Sequence, residues 1–158
     1  MMGITYRTID PSRSGVLIES AHSILAGLDP ADDMAYALYH GKLWSVHLND
    51  QNGLKYDQDK VFGSVDLRRA LDQVWTLEAN GYGRNGECVG LDVKAMRTTS
   101  FDESMYHLSH SKTMFLRLLD VVRGLDRRRV EEFRARRQYE QLEMMILEAL
   151  MGGAGKPR

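Results

Sequence analysis

The chain has 158 residues, of which 43% are hydrophobic and 8% aromatic, enough for one domain with a buried core. Its 21 Lys and Arg and 22 Asp and Glu give a formal net charge of −1, which excludes long-range attraction of the whole chain to nucleic acid or to a membrane surface. The single cysteine excludes an internal disulfide. With no long apolar run and no charged-then-apolar leader, we expect a cytoplasmic protein.

Three short apolar runs, at residues 15–18, 43–46 and 88–91, predict the strands. Each run is too short for a helix and none alternates with polar residues, a pattern that is typical of buried parallel strands. This interpretation makes Cys88 a small buried hydrophobic residue.

Helical patterns separate and follow these runs. Asp29 followed by Pro30 predicts a capped helix start, and Gly41 predicts where that helix stops. Apolar residues at helical spacing predict three more helices, from near residue 64 towards 81, around 115–122 and around 142–149.

The alternation of strand and helix predicts an α/β fold with a parallel sheet and right-handed crossovers. A closed (β/α)8 barrel needs roughly 250 residues. We therefore expect three β/α units to form only part of a barrel.

Acidic and imidazole residues follow all three predicted strands. They are Glu19 and His22 after the first, His47 at the end of the second with Asp57 and Asp59 in the loop beyond it, and Asp92 at the end of the third. The carboxyl ends of parallel strands meet at one rim, where carboxylates and imidazoles hold hard divalent cations. Carboxylates gathered there repel one another unless cations balance them, so the pattern predicts a site for two divalent cations.

Each element of this pattern also has an ordinary structural explanation. The Glu19-x-x-His22 pair by itself is more typical of a capped helix start, and Asp57 and Asp59 alone are typical loop acids. Only their joint placement on three consecutive strand ends favours the metal site.

The same segments resemble xylose isomerases. Residues 42–59, KLWSVHLNDQNGLKYDQD, followed by Val-Phe-Gly at 61–63, resemble the stretch in which a metal-binding strand end precedes a Lys-Tyr-Asp-Gln-Asp loop. Glu-Ser-Ala-His at 19–22 and Asp-Val-Lys at 92–94 are similar to that family's ligand pair and strand-end motif. The resemblance covers residues 15–125 and implies the carboxyl-terminal part of a TIM barrel.

Carried over by position, the resemblance implies a role for each acid and imidazole. Glu19 bridges two metals, Asp92 holds the structural metal, and the catalytic metal is held by His22, Asp57 and Asp59. His47 departs from xylose isomerases, which have Asp there, and matches rhamnose isomerases. This departure puts xylose in doubt as the substrate.

The implied activity is aldose–ketose isomerisation of an open-chain sugar, with hydride transfer between C1 and C2. It uses two divalent cations (Mn, Mg or Co) and no organic cofactor. Asp59, Lys94 and His22 are the expected catalytic residues, with Asp59 steering a metal-bound water. Because the family's earlier strands supply further groups, we expect the isolated chain to be incomplete and to work as a homo-oligomer or with a complementing barrel half, without nucleic acid or membrane partners.

The resemblance also divides the chain. Residues 1–14 are expected to be a remnant of a preceding connection, 15–125 the barrel segment, 126–151 a carboxyl-terminal helix and 152–158 a flexible tail.

Three alternatives stay open at this stage. A related sugar epimerase shares the Glu-x-x-His pair and the strand-end His. An endonuclease IV-like barrel has a strand end similar to residues 47–50, His-Leu-Asn-Asp. A non-catalytic remnant that binds protein or nucleic acid through its arginine-rich carboxyl-terminal helix is the third.

Overall fold

Three parallel strands and seven α-helices form the part of the chain that the computed structural model describes, residues 2–103 and 105–152. The strands are β1 (Val16–Glu19), β2 (Leu43–Leu48) and β3 (Cys88–Leu91), in the order β1-β2-β3. The helices are α1 (Met2–Thr5), α2 (Ser20–Leu25), α3 (Pro30–Tyr39), α4 (Leu67–Ala79), α5 (Tyr106–Gly124), α6 (Arg127–Ala135) and α7 (Tyr139–Leu150). None of these helices is long and apolar enough to span a membrane.

The predicted α/β class and the three β/α units are confirmed. Both strand pairs are parallel, and helices separate the strands along the chain, as expected for part of a TIM barrel. The expected tail at 152–158 lies outside the described residues except for Gly152. In the described part of 1–14, the chain forms α1 and a 3-10 turn at Pro11–Arg13.

Among the described residues, helices cover one face of the sheet. Val46 and Leu48 are fully buried in a core with residues of α3, α4 and α5. The alternate residues, among them Glu19 and His47, lie on the other face and are partly accessible. The prediction of fully buried strands was therefore wrong for this face, and Cys88 at the start of β3 is exposed because it lies there.

The predicted cap of α3 is confirmed. The Asp29 carboxylate accepts a hydrogen bond of 2.8 Å from the Ala31 backbone N–H, and Pro30 occupies the first helical position. We expect Asp29→Ala to lower the free energy of unfolding by about 1 kcal/mol, because it leaves a donor of the first turn without its partner. Urea denaturation measures this change, and Asp29→Asn, which retains a capping oxygen, should stay within about 0.5 kcal/mol of wild type. Equal losses in both variants would contradict the capping role.

Helix α4 begins at Leu67, later than the predicted start near Ser64. Asp66 is the cap, and its carboxylate accepts from the Arg69 N–H at 2.9 Å. The buried Asp50 carboxylate accepts from the N–H groups of Val65 and Asp66, which holds these two residues in a non-helical approach. This partner lies well before the helix in sequence, so local spacing does not reveal it.

The expected single helix at 126–151 is two helices, α6 and α7. Arg137 has a left-handed backbone with φ of 56°, which ends α6, and the Gln138 N–H bonds back to the Phe133 carbonyl. At the end of α6, Arg134 and the capping residue Arg136 pair with glutamates one turn earlier, so part of the arginine charge is balanced locally.

Candidate metal centre

The register of the sheet brings Glu19, His47 and Asp92 together. Glu19 ends β1 directly opposite His47 on β2, and Asp92 follows β3. The His47 Nδ1 lies 3.2 Å from Asp92 Oδ2, and one ligand atom from each of the three residues lies within 4.8 Å of the others. Gly90 makes room for the imidazole, since a Cβ at that position would lie 2.7 Å from His47 Cδ2.

A second group contains Glu19, His22 and Asp57. Helix α2 starts directly after Glu19, which places His22 one turn on with its Nε2 3.5 Å from Glu19 Oε1 and 3.5 Å from Asp57 Oδ2. Ligand atoms of these three residues also lie within 4.8 Å of one another. The Glu19 side chain is 11% exposed and that of His22 is 61% exposed, so Glu19 lies at the floor and His22 at the mouth.

Glu19 is thus common to both groups. We call the five residues of the two groups, Glu19, His22, His47, Asp57 and Asp92, the Glu19 cluster. A carboxylate has two oxygens with about four lone-pair sites, so one such group can serve two cations.

Asn49 supports this cluster and was missed in the sequence. Its buried side-chain Nδ2 lies within hydrogen-bond distance of Glu19 Oε1 (3.1 Å), Asp59 Oδ1 (2.8 Å) and the Asp92 carbonyl (2.9 Å). Its Oδ1 accepts from the Ala21 N–H at 2.7 Å. This one amide therefore ties the ends of all three strands together, and its position at the end of β2 was the only signal of its role.

Asp59 lies outside both groups. Its side chain is 3% exposed, receives the Asn49 hydrogen bond and forms an ion pair with Lys94. The Lys94 Nζ also lies 3.6 Å from Asp57 Oδ2. The hydrogen bond that the Lys94 ammonium donates to the Asp59 carboxylate raises the pKa of Lys94, so the ammonium remains protonated at neutral pH and balances the two loop carboxylates.

The loop that carries both acids is held from inside by Gln51. This buried side chain donates from Nε2 to carbonyls of the loop, with Tyr56 O at 2.6 Å, and its Oε1 accepts from the Gln58 N–H at 3.0 Å. Asp59 itself has φ of 43°, a left-handed conformation that aspartate tolerates better than most residues. Asp57 and Asp59 are consequently presented by a loop whose shape depends on internal hydrogen bonds.

The donor set fits hard divalent cations. Each group offers two carboxylates and one imidazole, the ligand types that suit Mg, Mn and Co. Three protein ligands leave further coordination positions for water or for another oxygen ligand.

A scan against models of protein families finds no match. A xylose isomerase from Streptomyces lividans is 44% identical to this chain over 92 residues. The matched part is 58% of this chain and spans only 22% of the length of that protein. Over this part of its length the chain is a homologue of xylose isomerase, as the strand-end motifs in its sequence indicated.

Proposed function

We propose that this chain supplies a two-cation site for metal-dependent aldose–ketose isomerisation. The observation that carries the proposal is the position of Glu19, whose carboxylate belongs to both acid–imidazole groups. The homology to xylose isomerase supports the same activity class. The proposed cofactors are two divalent cations, Mn, Mg or Co.

Each group has a role in this proposal. Glu19, His47 and Asp92 would hold one cation, and Glu19, His22 and Asp57 would hold the other. When bound, such cations act as Lewis acids on the oxygens of an open-chain sugar. Their charge would also balance the carboxylates of the Glu19 cluster, whereas Asp59 has the Lys94 ammonium as its partner.

The remaining polar residues position the reacting groups. Asn49 and Lys94 hold the Asp59 carboxylate, which suits it to accept and release a hydroxyl proton at a fixed place. Lys94 is 60% exposed and can donate a hydrogen bond to a sugar oxygen. His22 at the mouth can donate to a sugar oxygen from Nδ1, because its Nε2 is the nitrogen that faces Glu19 and Asp57 in the cation group.

The substrate is proposed to be an open-chain aldose whose identity is influenced by His47. A neutral imidazole at this position makes the centre one charge less negative than a carboxylate would, which agrees with the rhamnose isomerase type suggested by the sequence. The open face of the sheet carries Glu19 and His47, so we also propose that a second barrel segment, from another copy or a complementing chain, covers this face in a cytoplasmic enzyme.

Calorimetric titration of EDTA-treated protein with Mn²⁺ tests the proposal. Wild type is expected to bind two ions, and Asp57→Asn only one, because Asp57 belongs to one group while Glu19, His47 and Asp92 remain. Asp120→Asn, an exposed acid on α5, is the matched control and should bind two. Failure of wild type to bind Mn²⁺, or two ions in Asp57→Asn, would contradict the two-group site.

The sugar is tested on the Mn²⁺-loaded chain. Xylitol is a polyol that stands in for an open-chain sugar. It is expected to lower the rate at which bound Mn²⁺ relaxes water protons, because its hydroxyl groups displace water from the ion. Glycerol is the size control and should have a weaker effect at equal concentration. If xylitol and glycerol act alike, the site has no preference for sugar-length polyols and the isomerase proposal is wrong.

A further inference from the structure

A pocket of about 290 Å³ lies beside the Asp57–Asp59 loop. It is formed by that loop, by the segment after β3 and by the beginning of α5. Its polar lining includes Lys60, Lys94, Ser64, Thr99, His107 and His110. Apart from Lys94, none of these residues has a part in the proposed metal centre.

His107 has a buried atom without a partner. Its Nδ1 is buried and forms no hydrogen bond, which is true of no other buried side-chain nitrogen or oxygen among the described residues. The fully buried Ser111 hydroxyl donates to the His107 carbonyl at 2.7 Å and accepts from the Phe62 N–H at 3.2 Å, which ties the start of α5 to the core. Because this Nδ1 has no accessible surface, a ligand in the pocket would meet the His107 ring at its other nitrogen, Nε2.

The pocket is rich in donors and cations. Lys94 is engaged with Asp57 and Asp59, whereas Lys60 forms no ion pair with any described residue. The ring of His110 is held by stacking on Tyr106, with ring centroids 5.3 Å apart and planes 6° from parallel. Glu103, which is exposed, is the carboxylate in the lining.

A metal ion does not fit this lining. Within the described ranges, the groups of three ligand atoms close enough to hold an ion are the two of the Glu19 cluster, and neither includes His107, His110 or Glu103. The Lys60 ammonium and the two imidazoles instead match the acceptor oxygens of an anion.

We propose that this pocket binds a tetrahedral oxyanion of the phosphate class, with Lys60 as its charge partner and His107 as a hydrogen-bond donor. His110 is the second imidazole of the lining. The pocket is larger than phosphate itself, so the anion has two sources: free phosphate, or the phosphoryl group of a phosphorylated sugar. The proposal goes beyond the metal centre and does not depend on it.

NMR titration of the ¹⁵N-labelled chain with inorganic phosphate tests this site. The titration is done in EDTA, which removes any contribution from metals, and at constant ionic strength, which removes general screening. The chemical shifts of the Lys60, Thr99 and His107 amides are expected to change with phosphate concentration and to reach a plateau. Lys60→Ala should weaken binding about tenfold or more, since a charged hydrogen bond contributes about 1.5–3 kcal/mol.

Two further variants make the result decisive. Lys112→Ala removes an exposed lysine from α5 outside the pocket and should bind phosphate like wild type. His107→Phe should bind phosphate more weakly than wild type. Its amide spectrum should still be that of a folded chain. Unsaturable shifts in wild type, or equal affinities in Lys60→Ala and Lys112→Ala, would overturn the proposal.

Comparison of ligands separates the two sources. Ribose 5-phosphate binding more tightly than inorganic phosphate would identify a sugar phosphate as the ligand, and equal affinities would identify free phosphate. Binding of unphosphorylated ribose as tight as that of ribose 5-phosphate would overturn the oxyanion assignment.

Discussion

Replacing Glu19 with glutamine is expected to remove both Mn²⁺ ions from the chain, not one. Glu19 is the residue common to the two acid–imidazole groups, so loss of its charge weakens each of them. Glutamine has the same shape, and its Oε1 can still accept the hydrogen bond that Asn49 donates at 3.1 Å, so the fold should persist. We expect the affinity for both ions to fall by about 100-fold or more. This loss is larger than the loss of affinity that follows removal of a residue that only hydrogen-bonds to a metal ligand.

Calorimetric titration with Mn²⁺ measures this loss, with circular dichroism as the check of folding. Glu148→Gln, an exposed glutamate on α7, is the matched control and should retain two ions. If Glu19→Gln still binds one ion with wild-type affinity, the two groups do not share this carboxylate and the two-cation proposal fails. This result would differ from that of Asp57→Asn, for which one ion is the expected number.

Asn49→Asp is expected to destabilise the metal-free chain by about 4 kcal/mol. The asparagine amide is buried and lies 2.8 Å from Asp59 Oδ1 and 3.1 Å from Glu19 Oε1, so the substitution places a third carboxylate against two others. It also removes the donor to the Asp92 carbonyl. An uncompensated charge in such a place costs about 3–5 kcal/mol.

Urea denaturation in EDTA measures the destabilisation. Asn52→Asp is the matched control, because Asn52 is exposed in the same loop and its substitution should change stability by less than about 0.5 kcal/mol. Saturating Mn²⁺ should restore part of the loss, since divalent cations balance the added charge. A change of less than about 1 kcal/mol in Asn49→Asp would show that Asn49 does not hold the strand ends together.

The strand positions, their parallel order and the cap of α3 could be predicted from the sequence because their causes are local. An apolar run of four residues is too short for a helix, which favours a strand, and Asp29 bonds an N–H only two residues away. The placement of acids and imidazoles at the strand ends followed from the same reasoning, since parallel strands bring their carboxyl ends to one rim. That the Glu19 cluster binds metal stays a prediction.

Other features depend on contacts between distant parts of the chain. Asn49 and Gln51 are uncharged amides that look like ordinary loop residues, and Asn49 reaches partners 30 and 43 residues away. The delayed start of α4 needs Asp50, and the separation of Asp59 from the Glu19 cluster needs Lys94. In each case the partner is decided by packing rather than by neighbouring residues.

The sequence alone therefore determined the α/β alternation, the helix cap and the residue types available at the sheet rim, because backbone propensity and hydrophobic pattern act over short distances. Only the tertiary structure decided that Glu19 joins two groups, that Asp59 pairs with an ammonium and that one sheet face stays open. These outcomes arise from strand register and from which side chains meet in space, and a register shift of one residue would have turned Glu19 to the other face.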